Sequence, residues 1–349
     1  MSRLNHFAVL LCLCLILGAC SATNRLTMGA VEPAPVFIPK HITRVAIINR
    51  SQASENNAGI DKIDRVLSAE GMHLDEKGAG AAVEALQHEL SMDDRFESVV
   101  IIDSLGLDNK GLGVFPASLD WNYTSELCEQ FGVDAIFALE FYDTDTHASY
   151  AMTTRALPNS FGIKVNVPYH KVTLLTVLKN GWRIYDPTDK VILDAFETQS
   201  QITSSGEGLN PVKAIEAVNG REAAVLEQSK YLGQQYAGRL QPIRKRIARD
   251  YFVKGTGNFE VAKRRAQTGD WDGAAALWEK DLDHPKAKIA GRACYNMAII
   301  SEIHGDLDKA VEWASKSYAD YRTREALHYL DLLNYRIAEQ AALQRQLAR

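Results

Sequence analysis

The chain has 349 residues, of which 39 are Lys or Arg and 44 are Asp or Glu, giving a formal net charge of −5. That mild acidity excludes a general nucleic-acid binder, which carries a basic excess. A content of 46% hydrophobic and 24% charged residues is that of a folded globular chain, and the length predicts about two domains.

The amino terminus reads as an address rather than as part of a fold. Met1–Phe7 carries one Arg, Ala8–Leu17 is unbroken and apolar, and two small residues then precede Cys20. The apolar run is too short for a bilayer core, which takes about 20 residues. A charged start, a short apolar stretch and small residues at the end mark a secretory signal. Leu17-Gly18-Ala19-Cys20 resembles a bacterial lipobox. That resemblance implies a signal peptide over residues 1–19, removed to leave Cys20 as an acylated, palmitate-bearing amino terminus. The protein would then be a lipoprotein anchored to a membrane, not spanning it. Ser21, where an inner-membrane lipoprotein would carry Asp, implies the outer membrane with the protein facing the periplasm. No other stretch reaches about 18 apolar residues. The expected membrane contact is therefore the lipid on Cys20 alone.

Residues 20–40 read as a tether, kept extended by Pro33, Pro35 and Pro39. A mixed-sheet α/β domain is expected over 41–254. His41–Arg50 runs into the buried stretch Val45-Ala46-Ile47-Ile48, a strand. Ser51–Lys77 reads as a polar excursion with a turn or two of helix. Gly78–Leu90 is a helix with Val83, Leu86 and Leu90 on one face, and Phe96–Asp103 is a strand. Asp120 caps a helix that Gly132 ends, and Val133–Asp143 is a third strand. This β-α-β-α-β order argues for an α/β layer. An antiparallel meander follows: His170–Leu178, a hairpin turn at Asn180-Gly181, Trp182–Tyr185, a turn over Asp186–Asp189, and Val191–Thr203. Pro211 opens a long helix that Pro242 ends. Ile243–Val253, basic on alternate positions, reads as a strand whose Arg/Lys-rich edge is protected against edge pairing, with a partner-binding patch as the alternative.

The tail repeats itself. Phe259–Trp278 aligns with Tyr295–Ala314 at an offset of 36 throughout. Ala262 falls over Ala298, Gly269 over Gly305, Trp271 over Leu307 and Ala274 over Ala310. Small residues let paired helices approach, Gly ends the first helix, and large apolar residues fill the seam. The unit resembles the tetratricopeptide repeat (TPR), nominally about 34 residues. A capping helix runs from Thr323 to the carboxyl end, with Leu327, Leu330, Leu333 and Ile337 in its seam. The expected fold class is α+β: a mixed-sheet α/β domain followed by an all-α TPR-like domain over 255–349.

In order and motif type the chain resembles a family of uncharacterised bacterial envelope lipoproteins with tetratricopeptide tails. Its α/β half also resembles the periplasmic domain shared by curli-secretion lipoproteins, the amino-terminal domain of the Tol translocation protein, and lipoprotein activators of peptidoglycan synthases. These resemblances imply a protein that binds an envelope partner, not nucleic acid. They carry over no catalytic residue and no cofactor. The paired amphipathic hairpins that curli-secretion proteins insert into membranes are not visible in this sequence.

Candidate chemistry is sparse. Asp143, Asp145 and His147 alternate and would share one face of a strand, but no further metal-ligand pattern accompanies them. Asn109–Gly113 lacks the Gly-Lys-Ser/Thr of a phosphate loop, and there is no Gly-x-Ser-x-Gly elbow. Cys128 and Cys294 read as two buried free thiols, with a disulfide between them, which an oxidising envelope allows, as the alternative. His304 suits a helix end, and Trp182, Tyr185, Trp271 and Trp313 read as core or seam residues. The expectation is a non-catalytic, protein-binding scaffold acting through the repeats. A regulator that docks on an envelope synthase or secretion complex through the α/β domain is the alternative.

Overall fold

The structure is a computed structural model that describes residues 22–51, 62–102, 113–218 and 220–348. It has the expected α+β class, a mixed-sheet unit and an all-helical repeat region, but the chain is divided differently. One compact unit is Pro35–Gln241; the other joins the described residues before Pro35 to those from Pro242 onward.

In the first unit a five-stranded sheet has the order β3-β2-β4-β5-β6. Its strands are β2 (Arg44–Asn49), β3 (Ser98–Ile102), β4 (Ala135–Pro158), β5 (Lys164–Asp186) and β6 (Val191–Gly208). β2 runs parallel to β3 and β4, and β4, β5 and β6 are antiparallel. Val45–Ile48 are all fully buried because both faces of the sheet are covered. Helices α1 (Lys62–Ser91) and α4 (Arg221–Gly238) cover the face carrying Val45, Ile47, Phe137 and Trp182, through Leu86, Leu90, Val225 and Tyr236. Helix α2 (Trp121–Phe131) covers Ala46, Ile48, Ile136 and Ala138 with Leu127 and Cys128. Asp120 caps α2 by accepting the Asn122 and Tyr123 N–H groups, and Gly132 ends it. A short helix α3 (Pro211–Glu216) precedes α4, so the long helix expected after Pro211 is broken at Gly220.

The expected hairpin at Asn180-Gly181 is not a turn. β5 passes straight through it, with Gly181 opposite Phe141. A Cβ at 181 would overlap the Phe141 ring, so packing, not a turn, calls for glycine there. The turn lies at Asn159–Gly162, where the Asn159 side chain accepts the N–H groups of Phe161 and Ile163 at 3.0 Å each. β4 and β5 therefore extend as an arm beyond the covered sheet. Tyr150, Met152, Phe161 and Ile163 are exposed on it. The turn after Asp186 is where the sequence places it.

Glu140 is fully buried on β4. It meets Arg50, accepts from the Tyr185 hydroxyl and lies 3.7 Å from Arg183. Arg183 also donates to the Pro116 carbonyl at 2.9 Å, and the Leu119 N–H donates to the Tyr185 hydroxyl at 3.2 Å. The cluster thus pins the segment before α2 to the sheet.

The second unit corrects the tether and the 254/255 boundary. Thr23–Glu32, expected as tether, is strand β1, paired antiparallel along its whole length with β7 (Ile243–Phe252). No Pro falls within it, and Leu26, Met28 and Ala30 alternate with polar or small residues. Leu26, Tyr251 and Phe252 join the core of the helices, so β7 belongs with them. Helices α5 (Gly257–Gln267) and α6 (Trp271–Trp278) form one helix–turn–helix, and α7 (Ala287–Ile303) and α8 (Leu307–Ala319) the next. Helix α9 (Arg324–Leu347) follows, burying Ala326, Tyr329 and Leu333 but leaving Leu327 exposed. Glu302 on α7 is wholly buried, with both oxygens on Arg249 at 2.8 Å, the Tyr329 hydroxyl at 2.7 Å and Arg336 at 3.2 Å. Among the described residues no helix is long and apolar enough to cross a membrane.

Both packing features can be tested by substitution. Gly181→Ala should lower the unfolding free energy of the sheet unit by about 1–3 kcal/mol, the cost of overpacking a filled core. Glu302→Ala should cost the helical unit about 3–5 kcal/mol, because two arginines lose a buried counter-charge. Urea unfolding followed by circular dichroism checks both.

Candidate functional site

The repeat builds its turns twice in one geometry. Gly269 and Gly305 have φ of +82° and +81°, a left-handed conformation that suits glycine. Each is followed by an Asp cap: Asp270 accepts the Gly273 N–H at 2.9 Å and Asp306 the Lys309 N–H at 3.0 Å. Ala262, Ala274, Ala298 and Ala310 are fully buried where helices approach. Leu307 is buried, and Trp271 packs edge-on against Tyr251 at 5.5 Å.

Between the two helix pairs lies a cavity of about 350 Å³. Ala275 on α6, Met297 and Ile300 on α7, and Trp313 on α8 supply its apolar lining. Its rim is charged. His304 Nε2 stands 2.9 Å from Asp272 Oδ1, and Glu279 and Asp306 add two negative charges against the one positive charge of Lys309. Ser301 also lines it, but its hydroxyl donates to the Met297 carbonyl at 3.0 Å and is committed to the helix. An apolar floor with charges of both signs on the rim can take an apolar side chain and fix the chain that carries it. The sequence does not show this site, because Asp272 and His304 come from different repeats. His304, expected only to close a helix, does so at the end of α7 and also faces Asp272.

The remaining candidates disperse. Cys20 and residues 109–112 of the Asn109–Gly113 stretch lie outside the described residues. Asp145 and His147 pair at 3.4 Å on an exposed strand. Asp143 is part-buried, and burial followed by the Asp145 charge raises its carboxyl above the ordinary range. Among the described residues, three donors that converge are His41, Asp186 and Asp189, within 4.8 Å of one another. Buried Asp186 accepts the Thr188 and Asp189 N–H groups at 3.0 and 3.3 Å and faces His41 Nε2 at 3.1 Å. These residues are the ones suited to holding a divalent cation, and they also cap the β5–β6 turn. Trp182 stacks on Tyr236 at 5.1 Å in the core.

Cys128 and Cys294 are free and buried, one in each unit. Burial pushes their thiols up to about 12 and about 11. The reactive thiolate is therefore scarce at pH 8. Maleimide should leave both unmodified in the folded protein and modify both after urea unfolding, as read by intact mass.

Comparison with known proteins gives families without an assigned role. A model described as Domain of unknown function (DUF8603) matches residues 42–252, and one described as Domain of unknown function (DUF6340) matches 260–336. No curated protein matches the chain. Among solved structures, a PelC dodecamer from Paraburkholderia phytofirmans is 10% identical, covers 62% of this chain and 98% of its own, and has a TM-score of 0.25. A neuraminyllactose-binding hemagglutinin homolog from Helicobacter pylori is 9% identical, covers 58% and 85%, and scores 0.26. A hypothetical protein from Chlamydia trachomatis is 13% identical, covers 57% and 98%, and scores 0.20. By the match over residues 42–252, the chain belongs to the DUF8603 family.

Proposed function

We propose that this protein is a non-catalytic scaffold, anchored through lipidated Cys20 to the outer membrane on its periplasmic side, that binds an envelope protein in its helical repeats. The observation that carries the reading is the cavity between α6, α7 and α8, with its apolar floor and its rim of Asp272, His304 and Lys309. Tetratricopeptide-type stacks use such concave seams for partner segments. Trp313 is part-buried at the cavity, the position in which an aromatic side chain anchors a partner.

A second reading has its own support. On the β4–β5 arm, Phe161 is 86% exposed and Met152 67%, a larger apolar display than isolated surface residues make. Between Asp145 and Asp186 the sequence holds no carboxylate. This cationic, apolar arm suits docking on an envelope synthase or secretion complex, with the repeats as support.

In-cell cross-linking with mass spectrometry separates the two. Trp313→Ala with Lys309→Glu should weaken partner capture by about tenfold or more if the cavity binds. Phe161→Ser with Met152→Ser should leave it intact. The reverse pattern moves the function to the arm. Point variants are preferable to ending the chain at Lys254, because β1 and β7 bury their apolar side against the helices.

A further inference from the structure

β1 begins at Thr23, and Ala22 before it is already fixed. Its carbonyl accepts the Val253 N–H at 2.9 Å, and its side chain packs on the helical core. Only Ser21 separates Ala22 from Cys20. An extended chain advances at most ~3.6 Å per residue, so the two residues before Ala22 give a lipid on Cys20 a reach of no more than about 7 Å of main chain from it. A free tether over residues 20–40 would have allowed roughly 70 Å. We infer that the end of the helical unit carrying Ala22 and Lys254 is seated directly on the phospholipid headgroups of the bilayer that holds the Cys20 acyl chains. This inference rests on the Cys20 anchor proposed above.

The chemistry at that end suits an anionic surface. Lys254 is exposed. Arg292 donates to the Lys254 carbonyl at 2.6 Å and lies over the Phe252 ring at 4.9 Å. Exposed Lys288 stands four residues before Arg292 on α7, and so on the same side of the helix. Of the acids near this end, Asp250 is paired with Arg25 at 3.0 Å and Asp281 is buried on Thr256 at 2.6 Å, while Asp283 and Asp320 are exposed and lie close enough to α7 to add to burial in raising the Cys294 thiol. Lys and Arg held next to anionic lipid are attracted within a Debye length of the surface. The lipid supplies the attachment, and these cations fix which side of the unit faces down. His304 lies about 18 Å along α7 from Arg292 at 1.5 Å per residue. The cavity is therefore carried no further than about 18 Å beyond that seated end.

The test uses the full-length lipidated protein in liposomes of phosphatidylethanolamine and phosphatidylglycerol. A fluorophore is placed on Lys254→Cys or, as the distant control, on Asp308→Cys beside the cavity. Buried Cys128 and Cys294 stay unlabelled. Nitroxide headgroup lipids should quench the label at 254 several-fold more than the label at 308. A Gly-Ser linker of about 20 residues placed between Ser21 and Ala22 should abolish the difference without altering acylation. An intact mass lacking the diacylglyceryl group on Cys20 would sink the anchor and this inference together. An acylated protein with equal quenching at both positions would overturn this inference alone, as would a difference that survives the linker.

Discussion

The helical unit depends on one buried side chain. Asn296 on α7 accepts the Phe252 N–H at 2.8 Å and donates to the Phe252 carbonyl at 2.7 Å. Among the described residues β7 has β1 on one edge and no strand on the other. At Phe252 an amide side chain satisfies both backbone groups that a third strand would otherwise have paired. Leaving them unpaired in an apolar core would cost more than most single contacts supply. Six residues along α7, Glu302 takes Arg249 three positions back on β7. Two polar clamps thus hold one helix along one strand, with the apolar side chains between them in register. The repeat turns and the cavity are built outward from that helix.

The sheet unit is organised by a different constraint. β2 and the first part of β4 are covered on both faces and read as continuous apolar runs, whereas β4 and β5 lose their cover as they extend past it. Burial falls away along β4 from Tyr142 to His147 with no break in pairing. On β5 the cover continues outward as far as Val172 and Leu174, which pack on Ala214 of α3, and Arg221 donates to Thr146 of β4 at 2.7 Å; beyond them Met152, Phe161 and Ile163 stand exposed on the arm.

What the sequence disclosed follows the range of the signal. The Asp120 and Gly132 caps, the Val45–Ile48 run and the two Gly-Asp turns are local, and each is legible where it stands. Strand β1 escapes a sequence reading because its partner is distant: Asn24 meets Tyr251 across 227 positions. The nearby prolines draw Thr23–Glu32 into a tether, although none of them falls within the strand. Asn180-Gly181 misleads for the opposite reason. Its dipeptide is a strong local turn signal, but a ring on the next strand claims the glycine. The cavity lies outside reach because it exists only after two repeats stack.

The order of the chain nests one unit inside the other. The ribbon that founds the helical unit is made of the first described strand and the strand after Pro242, with the whole sheet unit encoded between them. Within that sheet unit the two ends of the segment meet, the Val36 N–H donating to the Arg239 carbonyl at 3.1 Å. It is thus an insertion with adjacent ends, the arrangement in which one domain is tolerated inside another. During vectorial synthesis β1 emerges first and stays unpaired until β7 is made, so it spends that interval as an open edge. Glu32 faces Ile243 in the ribbon. A short turn joining those two residues would convert a discontinuous domain into a continuous one and remove that waiting period.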